Sequence, residues 1–72
     1  MKRYFEFVDA KSSKFWEVWI EDISLCVRFG KIGTNGQTTL KEFPDAEAAE
    51  QARDKAIAEK IKKGYVEVSN DD

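Results

Sequence analysis

Glycine recurs at every third position in Phe29-Gly30-Lys31-Ile32-Gly33-Thr34-Asn35-Gly36-Gln37. The spacing is not that of a dinucleotide-binding fingerprint. It is not a phosphate-binding P-loop either, because no Gly-Lys-Ser/Thr follows and no helix begins there. A glycine-rich hairpin is what such a run can build. Asn35-Gly36 is expected to turn it, since that pair tolerates the positive φ of a tight two-residue turn. Gly30 is expected to mark a bulge or a close backbone approach.

The residues around this hairpin read as further strands. Tyr4-Phe5-Glu6-Phe7-Val8 is aromatic and β-branched, and Asp9 to Ser13 is a polar turn. In Phe15-Trp16-Glu17-Val18-Trp19-Ile20, alternation sends Trp16, Val18 and Ile20 to one face and Phe15, Glu17 and Trp19 to the other. A turn at Glu21-Asp22 leads into a strand over Ile23–Ile32, and Thr38–Phe43 returns antiparallel to it.

Pro44-Asp45 ends the strands. Asp45 is suited to cap a helix, its carboxylate accepting from backbone N–H groups that the first turn leaves unpaired. The alanine-rich stretch from Ala46 to about Lys63 supplies that helix, with Gly64 as its stop. Glu47 and Glu50 lie near its start and Lys60, Lys62 and Lys63 near its end, in accord with the helix dipole. Tyr65–Val68 can add a short last strand. The fold class is therefore α+β: an antiparallel sheet of four to five strands with one helix packed on one face. Residues 1–68 form one domain and residues 69–72 a flexible acidic tail.

Ala46, Ala49, Ala52, Ala56 and Ile57 make the apolar stripe of the helix, and Arg53 and Lys60 fall within it. Two readings are open. Their stems cover sheet aromatics while the heads reach an edge, or the two form a cationic pair under a groove awaiting a phosphate or carboxylate. Both readings place the two residues on the side of the helix turned to the sheet.

Composition narrows function. The chain has 72 residues, no histidine and one cysteine, Cys26. That removes the usual general base, an internal disulfide and a cysteine-only zinc site. A core this small contributes about 3–5 kcal/mol. No cofactor or metal is expected. No apolar stretch reaches the length of a membrane span, and the start turns acidic too early for a secretory leader. A cytoplasmic location is expected, with Cys26 as a buried, inert thiol. Glu17, Glu21, Asp22 and Glu42 read as solvated faces rather than a catalytic pair. The chain is expected not to be an enzyme and to have no small-molecule substrate.

Four segments in order give the chain a family resemblance. They are Lys14-Phe15-Trp16, the Phe29–Gln37 run, Glu47-Ala48-Ala49, and Glu59-Lys60-Ile61-Lys62-Lys63-Gly64-Tyr65. Together they resemble the WGR domain, a module named for a Trp-Gly-Arg triplet, over about Phe5 to Val68. Here Phe29 replaces the triplet's Trp and Lys31 its Arg, Ser13 stands where Asn is usual, and Arg53 where an aromatic is usual. WGR domains occur in eukaryotic poly(ADP-ribose) polymerases, where they help dock on DNA strand breaks, and in bacterial proteins. The resemblance implies a non-catalytic module in which Phe29 stacks on a terminal nucleotide and Lys31 meets phosphate or a neighbouring domain.

The expected binding residues are Phe29, Gly30, Lys31, Lys60 and Lys63. A phenyl ring stacks on a base with less area than an indole. Lysine meets phosphate as a point charge, without the arginine fork. Two partner classes are open. One is nucleic acid, held weakly at an end or a single strand. The other is a protein chain docked through the same hairpin. The net charge of -2 favours the protein; the family resemblance favours nucleic acid.

Overall fold

A computed structural model describes residues 2–68 of the chain. The expected acidic tail at 69–72 lies outside the described residues. Five strands and one helix follow in the order β1 (Arg3–Val8), β2 (Ser13–Glu21), β3 (Ser24–Lys31), β4 (Gln37–Glu42), α1 (Ala46–Lys62) and β5 (Val66–Glu67). The strands form one sheet in the order β4-β3-β2-β1-β5, and every pairing is antiparallel. This is the expected α+β arrangement.

β2 is the middle strand, and Phe15, Trp16, Glu17 and Val18 are buried in succession along it. Successive residues point to opposite faces, so both faces are covered there. On one face α1 packs against β2 and β3. The core under it is Phe5, Trp16, Val18 and Ile57, with Leu25, Val27, Ala56 and Tyr65 against its margin. Asp45 caps the helix as expected, accepting from the Ala48 N–H at 2.8 Å. Along the expected apolar stripe Ala49 and Ile57 are buried, while Ala46 is exposed. Arg53 and Lys60 are both half-buried, but the Arg53 head turns to its neighbour Asp54 at 3.1 Å.

Among the described residues the opposite face carries no helix, yet Phe15 is only 3% exposed. Tyr4 stacks on it at 5.8 Å, and the Arg28 guanidinium lies 4.6 Å from its ring centre. Arg28 also donates to Glu17 at 3.1 Å and to the Asn35 carbonyl at 2.9 Å. Glu17 is thus buried and ion-paired, not the solvated carboxylate expected from the sequence. Cys26, also on this face, is buried as expected, and burial pushes its thiol pKa up.

Two turns differ from the sequence expectation. The β2–β3 turn falls on Asp22-Ile23, one residue later than expected, with Asp22 at φ 60°. At the β3–β4 connection the hydrogen-bonded turn is Lys31-Ile32-Gly33-Thr34. It is closed by Thr34 N–H donating to the Lys31 carbonyl at 3.1 Å, with Gly33 at φ 97°. Gly36 has the expected positive φ, 71°, but it does not form a two-residue turn with Asn35. Its backbone lies against the other arm of the hairpin. A β-carbon on Gly36 would stand 2.5 Å from the Phe29 carbonyl oxygen and 2.7 Å from the Phe15 ring. One on Gly30 would stand 2.8 Å from the Gly36 Cα. The close approach expected at Gly30 is therefore present.

Gly33 and Gly36 share a positive φ but not their surroundings, since nothing lies within 4 Å of a β-carbon built on Gly33. Gly33→Ala should cost only the left-handed backbone penalty, about 1–2 kcal/mol. Gly36→Ala adds a collision with backbone and should lower the urea midpoint further. Equal loss in the two variants would contradict the packing assigned to Gly36.

Candidate nucleic-acid interface

The sheet sorts charge by face. Residues paired directly across neighbouring strands share a face, so the register assigns every side chain of β1 to β4. Within β1 to β4 the charged groups on the helix side are Arg3, Lys14, Lys31 and Lys41, all cationic; Glu67 of β5, opposite Phe5, lies on this side too and is ion-paired to Arg3 at 2.8 Å. The other side carries Glu6, Glu17, Glu21 and Glu42 with Arg28, and the Lys2 ammonium lies over its Trp19 ring at 4.4 Å. The net negative charge of the chain conceals a basic face.

On that face, beside the last turns of α1, lies an open groove of about 650 Å³. Trp16, Val27 and Phe29 line it from the sheet, with Lys60 and Tyr65 from the end of the helix and the residues after it. Trp16 is 5% exposed and belongs to the core, whereas Phe29 is 38% exposed. Four lysines reach the groove: Lys11, Lys14, Lys31 and Lys60. Among the described residues no carboxylate lines it, and none lies within 4.0 Å of these four ammonium groups.

Two features concentrate the positive potential. Lys14 and Lys31 are directly opposite on β2 and β3, where like charges repel. Lys60 stands over the Trp16 and Tyr65 rings, 5.6 and 5.0 Å from their centres. Burial lowers the Lys60 pKa, and the charges of Lys63 and Lys14 lower it further. An anion entering the groove would relieve all of these penalties together.

Of the residues expected from sequence, Phe29, Gly30, Lys31 and Lys60 come together around this groove. Lys63 is the exposed C-cap residue of α1; it does not line the groove but acts on Lys60 through its charge. Of the two readings of Arg53 and Lys60, Lys60 fits the groove and Arg53 does not. Sequence reasoning missed Lys14, Lys11, Thr39 and Tyr65 as groove residues. Lys14 was within reach. It lies two residues before Trp16 on the same face, and placing the β2–β3 turn at Asp22-Ile23 sets it opposite Lys31.

A lysine whose folded-state pKa is depressed binds fewer protons folded than unfolded. Stability therefore rises with pH across the interval between the lowered value and 10.5. Lys60→Met keeps the stem and removes the charge, so it should raise the midpoint of thermal unfolding at neutral pH. As the pH rises toward the ordinary lysine value of 10.5 the advantage should shrink. A lower midpoint for Lys60→Met at neutral pH would show that the ammonium stabilises the fold.

Known proteins share this sequence and fold. The family model described as the WGR domain matches residues 1–72. The protein YehF of Escherichia coli K12 is 49% identical over 69 residues, which is 96% of this chain and 25% of that protein. YfeS of the same organism is 45% identical over 67 residues, 93% of this chain and 28% of that protein. A crystal structure of a Bacteroides fragilis protein superposes with a TM-score of 0.94 at 52% identity, over 96% of this chain and 20% of the other. The chain thus spans about a quarter of the length of the curated relatives it matches. With a family model matched from end to end and an antiparallel sheet crossed by one helix, the chain belongs to the WGR domain family.

Proposed function

We propose that this WGR domain is a non-catalytic module that binds nucleic acid weakly, at a strand end or along a single strand, through the groove between Phe29 and Lys60. The observation that carries the reading is four lysines and an exposed aromatic around one groove with no carboxylate among its lining residues. Phosphates neutralise the lysines, and the Phe29 ring offers a face on which a base or sugar stacks. Gly30, between Phe29 and Lys31, packs its backbone against Gly36 and Phe15 on the opposite face and so holds the two side chains toward the groove. The lysines give affinity without sequence preference, because phosphate contacts carry no base information.

A second reading follows from the length of the relatives. In them the domain occupies about a quarter of the chain, so the same hairpin has neighbouring protein within reach. Docking of a partner chain on Phe29 would then be its task, without nucleic acid.

Titration at low salt with single-stranded, blunt, nicked and 5′-phosphorylated oligonucleotides separates the two. The nucleic-acid reading expects saturable binding with Kd below about 100 μM, near the weak edge of ordinary nonspecific affinity. Lys31→Ala should weaken all sequences alike and flatten the salt slope by about one unit. Phe29→Ala should weaken single strands by roughly 1–3 kcal/mol, the usual worth of one stacked base. No saturable binding to any of the oligonucleotides would favour the docked protein chain.

A further inference from the structure

We infer that Lys60 is an acyl-acceptor site, at which a small acyl phosphate rests its phosphate on Lys14 and Lys31 and transfers its acyl group to the Lys60 amine. The inference rests on the reading of the groove as a phosphate site. Three observations carry it. First, Lys14, Lys31 and Lys60 line one groove, so an anion drawn to the first two is brought beside the third. Second, Lys60 is half-buried over two aromatic rings and forms no ion pair among the described residues. Third, the groove is open and about 650 Å³, ample for a molecule of a few heavy atoms.

The groups that act on Lys60 include Lys63 and Glu59 from its own helix and Lys14 from β2. Two of these three are cations, and burial disfavours the ammonium form as well, so more of Lys60 is free amine than of a solvated lysine. Free amine is the nucleophile.

The step is an ordinary acyl transfer. The lone pair of the Lys60 nitrogen attacks the carbonyl carbon, and a C–N bond forms. The C–O bond to phosphate breaks, and inorganic phosphate leaves with the bonding electron pair. The nitrogen releases a proton to water, leaving a neutral amide. Lys14 and Lys31 stabilise the departing charge by holding the phosphate. Nothing is oxidised or reduced. The product has lost the charge of Lys60 and its hold on the Trp16 and Tyr65 rings, so the groove should bind polyanions less well after acylation.

The test incubates the intact protein with acetyl phosphate near neutral pH and follows each lysine by peptide mass spectrometry. N-hydroxysuccinimidyl acetate, which carries no phosphate, serves as the comparison donor. Lys60 should be acetylated by acetyl phosphate about tenfold faster than the exposed Lys55 and Lys62, as expected for a donor held beside its nucleophile. Inorganic phosphate should suppress that preference without any substitution, and Lys14→Gln with Lys31→Gln should abolish it. Equal rates at Lys60, Lys55 and Lys62 would overturn the inference. So would an equal preference for Lys60 with both donors, because docking of phosphate would then play no part. Oligonucleotide binding by the same preparation is read separately. Binding with uniform acetylation sinks this inference alone, and selective acetylation without binding sinks the nucleic-acid reading alone.

Discussion

The ring of Phe15 is the contact on which the geometry of this domain depends. It lies on the helix-free face of the middle strand, directly opposite Gly30. Two glycines make room for it: a β-carbon on Gly36 would meet the ring at 2.7 Å and one on Gly30 at 3.6 Å. Arg28 closes the arrangement by covering the ring and holding the Asn35 carbonyl. The β3–β4 connection is thereby fixed from below. Because side chains alternate along a strand, seating Gly30 on Phe15 turns Phe29 and Lys31 to the other face. The position of the groove residues follows from packing on the helix-free side of the sheet.

The same alternation reconciles an acidic chain with a cluster of lysines on one face. Net charge sums over both sides of the sheet, whereas a ligand meets one. Glutamates on β1, β2 and β4 collect with Arg28 on one side, and the other cations of β1 to β4 collect on the opposite side. Setting Lys14 against Lys31 and burying part of Lys60 works against stability. A core this small has little stability to spare, so a cluster of unpaired cations makes sense where something else supplies the negative charge.

Much of the fold could be read from the sequence, because its signals are local. Asp45 followed by an alanine-rich stretch marks the start of the helix, and aromatic and β-branched runs mark the strands. Phe29, Gly30, Lys31 and Lys60 could be named because a tripeptide and a helix end announce them. What could not be read depends on register and on long-range packing. A turn shifted by one residue, to Asp22-Ile23, determines whether Lys14 faces Phe29 or Lys31. Asn35-Gly36 looks like a two-residue turn by composition, but Gly36 answers to the Phe15 ring. Glu17 looks solvated when no partner for it can be named from sequence, yet Arg28, from the next strand, pairs with it in a buried setting. Each of these results depends on a partner distant in sequence.

The central claim is that ligand enters on the lysine face of the sheet and not on the glutamate face. Amide chemical-shift mapping during titration with a short single-stranded oligonucleotide tests it most directly. The account predicts that perturbations concentrate at Lys14, Phe29–Lys31, Thr39, Lys60 and Tyr65, and that they fade as salt is added. Perturbations centred instead on Tyr4, Glu6 and Leu40, across the sheet, would contradict it.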